Sequence, residues 1–256
     1  MTEDSILFDR KGPVAIITLN RPARRNAIDA ATGEQLRQAV ERFAADPDLR
    51  VAILAATGPV FCAGMDLKAF VEGEAEEILF GEGRLGGFVS RVVPKPMIAA
   101  VQGPALAGGF ELVLTCDVVV ASRDARFGLP ESRIGLVAGA GGAFRLGQML
   151  PRALATEMLL TGAPISAEQA QAHGLVNRLT DADPLPEAME LAQQIAANAP
   201  LSLAASLELS RAASRLHDEG CWALNDRLLR RLVDSRDAVE GARAFAERRA
   251  PVWQGD

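Results

Sequence analysis

Two carboxylates, Glu111 and Glu131, stand in company that does not solvate them. Glu111 lies inside the apolar run Phe110, Leu112, Val113, Leu114, three residues beyond Gly108. Glu131 follows "FGLP" and precedes "SRIGLVAGAGGAFRL", with Pro130 holding it in a loop. Apolar surroundings push a carboxyl pKa upward, and acid–base catalysis near neutral pH needs such a shift. The simpler reading of Glu111 is a partner for a helix dipole, because it falls in the first turn of an expected helix. Two glycine turns accompany the carboxylates: "FCAGMDL" at 61–67 and "GPALAGGFEL" at 103–112. Glycine lets a backbone approach a ligand closely, and a helix N-terminus adds unpaired N–H groups and partial positive charge. Taken singly, each turn reads more simply as ordinary punctuation. Facing one another, they would form a two-donor hole for a developing oxyanion. With two carboxylates nearby, the pattern points to proton transfer on an activated carbonyl compound.

Other chemistries fit less well. His173 precedes a glycine that reads as a helix C-cap, and His217 sits among charges. Neither has a serine in a G-x-S-x-G context, so a hydrolase triad is not expected. Cys62, Cys116 and Cys221 are widely separated, which argues against a disulfide framework or a zinc cluster and fits a reducing cytosol. Cys62 reads as a buried, inert thiol. "GAGGAF" at 139–144 lacks the Lys-Ser/Thr of a P-loop. Asp66 reads as the cap of a helix starting at Leu67.

The elements that must position these residues alternate in type. "SILFDR" and "VAIITLN" form a hairpin around Lys11-Gly12-Pro13. Residues 30–45 carry a helical period through Leu36, Val40 and Phe43. "VAILAA" at 51–56, "MIAAV" at 97–101 and "DVVVAS" at 117–122 are strands covered on both faces. Residues 66–92 read as helical pieces joined by loop, and "FELVLTC" as helix. Strand, glycine-rich turn and helix recur, which predicts an α/β layered fold. Beyond about residue 140 strand signals thin, "VNRL" at 176–179 being the last, and a helical tail follows. In that tail Cys221, Leu224, Leu228 and Leu232 form an apolar stripe, suited to packing on the same chain or on a neighbouring subunit.

The chain has 256 residues, 49% of them hydrophobic and 23% charged, with a net charge of −6. That composition fills a core and argues against disorder. No basic block tracks a nucleic-acid backbone, no apolar run is long enough for a bilayer, and the acidic N-terminus does not read as a signal peptide. The expectation is a cytoplasmic protein.

Five segments together resemble the enoyl-CoA hydratase/isomerase family, the crotonases. They are "ITLNRPARRNAID", "FCAGMDL", "QGPALAGGFELVLTCDVVVAS", "ARFGLPESRIGLVAGAGGAFRL" and "LTGAPISAEQAQAHGLVNRL", with "AFAERRAPVW" near the end. The resemblance implies a spiral of ββα units over residues 1–198, with a helical region at 199–256 used for oligomerisation. It implies oxyanion donors at the backbone N–H groups of Met65 and Gly108. Glu111 matches the glutamate that holds and activates water, and Glu131 the one that protonates the α-carbon. It further implies contacts to an acyl-CoA substrate from Arg24, Ala63, Asp66, Leu67, Lys68, Phe110 and Gly139, with Arg24 and Lys68 as candidates for CoA phosphates. No metal and no separate cofactor are implied, CoA being part of the substrate. A homotrimer or a dimer of trimers is implied as the assembly.

Some positions depart from the pattern. Phe110 stands where small residues are frequent, so a phenyl ring there is expected to reshape the acyl pocket. Ala138 and Ala250 replace a frequent proline and a frequent basic residue, the latter putting one phosphate or adenine contact in doubt. The resemblance leaves four functions open: a hydratase, a double-bond isomerase needing one carboxylate, another acyl-CoA lyase of the crotonase family, and a non-catalytic scaffold of the same fold.

Overall fold

A computed structural model describes residues 4–256. Its main sheet has six strands in the order β1 (Ile6–Lys11), β2 (Val14–Leu19), β3 (Val51–Ala56), β4 (Met97–Val101), β6 (Val118–Ser122) and β9 (Arg178–Thr180). The first pair is the antiparallel hairpin expected, and the remaining pairs are parallel. Parallel strands need covered faces, and the period of two in side-chain direction supplies two apolar faces. Val14, Ile16, Val51, Ile53, Ile98 and Val120 meet Ala188, Ala192 and Ala196 of helix α8 (Pro184–Ala196). The alternate residues Ala15, Ile17, Ala52, Leu54, Ala99 and Val119 face the larger core, which includes Leu36, Val40 and Phe43 of α1 (Ala30–Ala45).

A second sheet of three short strands, β5 (Ala105–Leu106), β7 (Arg126–Gly128) and β8 (Ile165–Ser166), sits beside the larger core. The sequence does not announce it. Strands of two and three residues carry no detectable alternation. The expected last strand is displaced from 176–179 to Arg178–Thr180. Asn177 takes the position before it, accepting from the Val119 amide through Oδ1 and donating its own amide to the Val119 carbonyl. Residues 66–92 hold the helical pieces α2 (Leu67–Ala69) and α3 (Ala75–Phe80), joined by a π-type turn over Phe70–Glu74.

Helix α4 (Gly108–Val113) enters from β5 and leads to β6. Asp117, which breaks the apolar run between them, receives the Arg211 guanidinium at 2.7 Å and caps the Met97 amide at 2.9 Å. Arg211 belongs to α9 (Pro200–Ala212), so this pair ties the helical tail to the sheet. The helices α10 (Asp218–Val233) and α11 (Arg236–Glu247) follow.

Candidate active site

The two glycine turns meet. Strand pairing between Cys62 and Ala105 sets the segments side by side, with the Leu106 amide on the Cys62 carbonyl at 3.0 Å. Gly64 has φ +95, and a methyl group built on it would stand 2.8 Å from the Gly108 nitrogen. Only glycine permits that backbone and that approach together. Ala107 precedes α4 at φ 50, ψ −130, a conformation that strains any residue with a Cβ. It is fixed by its amide on the Gly128 carbonyl, and by its own carbonyl accepting from the Phe110 and Glu111 amides. This turn leaves the Gly108 N–H at the free end of α4. Neither the Met65 amide nor the Gly108 amide donates to a protein acceptor among the described residues. The Met65 side is held by the loop at 20–29. The Ile28 amide donates to Gly64 O, the Asp66 amide to Ile28 O, and the Ala63 amide to Arg25 O.

Glu111 is buried on α4 and accepts the Gly142 amide on Oε1 at 2.8 Å. Gly142 opens α5 (Gly142–Met149), and a methyl there would stand 2.9 Å from Glu111 Oε1, so glycine is needed for the contact. "GAGGAF" is therefore a loop that turns a backbone donor toward a carboxylate, not toward a phosphate. Burial, and after it the charge of Glu131, push the Glu111 carboxyl up to about 7, against the pull of the Gly142 N–H. Glu131 opens a 3-10 turn, Glu131–Ile134, rather than lying in plain loop, and the Leu136 amide returns to its carbonyl. Its side chain is buried and its pKa is raised by burial. Its Oε2 has no hydrogen-bond partner among the described residues. A buried polar atom without a protein partner is free to meet water, an ion or a ligand.

The remaining candidates spread over the surroundings. Asp66 caps α2 through the Lys68 and Ala69 amides and lies 3.7 Å from Arg21. Arg21 also holds Asp29 at 2.7 Å, a bridge the sequence reading missed because the three residues share no periodicity. Lys68 is exposed and pairs with Glu72 at 3.6 Å. Arg24, Leu67 and Gly139 are exposed and Ala63 is half-buried. The Phe110 ring is fully buried and lies 5.4 Å from the Phe127 ring. Cys62 is buried with its thiol pushed up to about 12, and it donates to the Asn26 carbonyl.

Unpartnered amides on two touching glycine turns and two buried carboxylates of raised pKa are groups that can serve proton transfer to and from a carbonyl compound whose oxygen becomes an anion. Comparison with known proteins gives the family. The family described as Enoyl-CoA hydratase/isomerase matches residues 9–256. The chain belongs to this family, has the crotonase fold, and is a hydratase-like lyase. It resembles the crystal structure of enoyl-CoA hydratase from Mycobacterium tuberculosis H37Rv, at a TM-score of 0.94 and 45% identity, over 99% of this chain and 100% of that one. It resembles carnitinyl-CoA hydratase from Mycobacterium avium at a TM-score of 0.77 and 42% identity, over the full length of both. A carnitinyl-CoA dehydratase of Salmonella typhi is 45% identical over 98% of this chain and 99% of its own.

Proposed function

We propose that the chain is an enoyl-CoA hydratase, adding water reversibly to a 2-enoyl-CoA thioester. The observation that carries this reading is the pair of buried carboxylates beside two unpartnered amides. The thioester oxygen would accept from the Met65 and Gly108 N–H groups. Ionised Glu111 takes a proton from water as the water oxygen bonds to the β-carbon. The double-bond electrons move onto the thioester as an enolate, and protonated Glu131 delivers its proton to the α-carbon. The reverse sequence expels water. This chemistry uses no metal and no separate cofactor. An isomerase needs one carboxylate and a scaffold needs none, so two buried acids favour hydration. Exposed Arg24 and Lys68 are assigned to CoA phosphates. Three free thiols support a reducing, cytoplasmic setting, and no helix among the described residues is long and apolar enough to cross a membrane.

A second reading is favoured by the 45% identity to proteins named carnitinyl-CoA dehydratase. Carnitinyl-CoA differs from 3-hydroxybutyryl-CoA by a trimethylammonium group on the acyl chain, so comparing kcat/KM for these two thioesters tests both readings. The first expects 3-hydroxybutyryl-CoA to be dehydrated at least as well. Turnover of carnitinyl-CoA alone would replace it with the second, and turnover of neither would remove both.

The helical region at 199–256 is proposed to form the subunit contacts of a homotrimer or a dimer of trimers. Trp222, Leu229 and Val233 of α10 and Phe245 of α11 are exposed. A cavity of about 890 Å³ between α9, α10 and the core includes neither catalytic glutamate in its walls. Apolar surface of this kind marks an interface. Sedimentation at micromolar concentration is expected to show the trimer or its dimer, and a monodisperse monomer would contradict it.

A further inference from the structure

Leu85 lies directly on one of the two donor segments. A methyl group built on Gly108 would stand 2.3 Å from Leu85 Cδ2 and 3.5 Å from Cδ1. The isopropyl group therefore touches the Gly108 backbone, and Leu85 is buried. It is carried on an unusual stretch of chain: Gly83, Arg84, Gly86 and Gly87 all have positive φ. Arg84, at φ 58, ψ −152, adopts a conformation that a side chain disfavours. Gly86 lets this backbone close on two helices, since a methyl there would stand 2.8 Å from Leu112 Cδ2 and 3.1 Å from Leu36 Cδ2. A chain bent this sharply and seated this closely on α1 and α4 holds the leucine in one place. Its bulk is directed at the Gly108 peptide rather than at solvent.

We infer that Leu85 is a specificity-determining residue, whose isopropyl group walls the site beside the thioester carbonyl and limits bulk on the adjoining acyl carbon. The inference rests on the hydratase reading. A carbonyl oxygen accepting from the Gly108 N–H lies about 3 Å from that nitrogen. The carbon bonded to the carbonyl then arrives next to the surface that Leu85 covers. A methyl branch on that carbon would meet the leucine, whereas a straight chain leaves along the pocket. An apolar wall distinguishes substrates differing by one methyl group by roughly 10–200-fold.

The test compares kcat/KM for crotonyl-CoA and 2-methylcrotonyl-CoA in wild type, Leu85→Ala and Leu85→Val. The ratio of branched to straight substrate should rise at least about tenfold in the alanine variant and at least about threefold in the valine variant. A purely structural loss lowers both rates together and leaves the ratio unmoved. If the alanine variant does not fold, the valine variant decides, because it keeps most of the buried volume. A smaller rise in the valine variant overturns the assignment of Leu85 while the wild-type hydration rate leaves the function intact. Wild type that hydrates neither thioester overturns the hydratase reading itself.

Discussion

Replacing the Gly108 peptide N–H by an ester oxygen should slow hydration of crotonyl-CoA by about 10²–10³-fold, the usual cost of one lost oxyanion donor. The substitution keeps shape and removes the donor, while the Ala107 carbonyl, which accepts from the Phe110 and Glu111 amides, becomes a weaker acceptor. A mutation should reach the same hole by geometry. Gly64→Ala puts a methyl group 2.8 Å from the Gly108 nitrogen and 2.8 Å from Ala107 Cβ, on a backbone with φ +95. The two segments must part, and Met65 and Gly108 can no longer converge on one oxygen. Its turnover number should fall by at least about 10²-fold, since an oxyanion hole works only with its donors pre-positioned. The readout is the initial rate of loss of enoyl-thioester absorbance at saturating substrate. An ester variant that hydrates at the wild-type rate would remove Gly108 from the hole.

Much of this arrangement is legible in the sequence, for identifiable reasons. Strands covered on both faces read as unbroken apolar runs, so β3 and β4 are visible directly. The hairpin is visible from Gly12-Pro13 between two alternating runs. The glycine turns stand out because their residue types answer a backbone requirement, and Glu111 because a charge interrupts an apolar helix. What the sequence hides is contact made by backbone or across long separations. The Gly142 amide that holds Glu111 comes from a residue 31 positions away and has no side chain to announce it. The small β5–β7–β8 sheet is built from pieces too short to show a period. Arg211 pairs with Asp117 across 94 positions, and from sequence Asp117 was only an interruption. The Phe110 ring packs against Phe127, a contact that no periodicity announces.

In the proposed hydration Glu111 and Glu131 divide the two proton transfers between them. Burial raises both carboxyl pKa values, Glu111 to about 7. Hydration requires one of the pair ionised and the other protonated: an ionised base for water and a protonated acid for carbon. Below the pH range set by the two raised pKa values both groups are protonated and the base is lost. Above it both are ionised and the acid is lost, so kcat/KM should follow a bell against pH. Each proton transfer is worth roughly 10²–10⁴-fold. Glu111→Gln cannot take the proton and Glu131→Gln cannot deliver it, while both keep the size of the side chain. The double variant should fall well short of the product of the two losses, because groups acting as a unit are not additive. An isomerase would tolerate one of the single substitutions, and a scaffold would have no activity to lose. The deciding measurement is the initial rate of crotonyl-CoA hydration by wild type, the two single variants and the double variant, with folding checked by circular dichroism. Each single variant should lose at least about 10²-fold with CoA affinity nearly unchanged; a single variant that keeps more than about a tenth of the wild-type rate would contradict this division of the proton transfers.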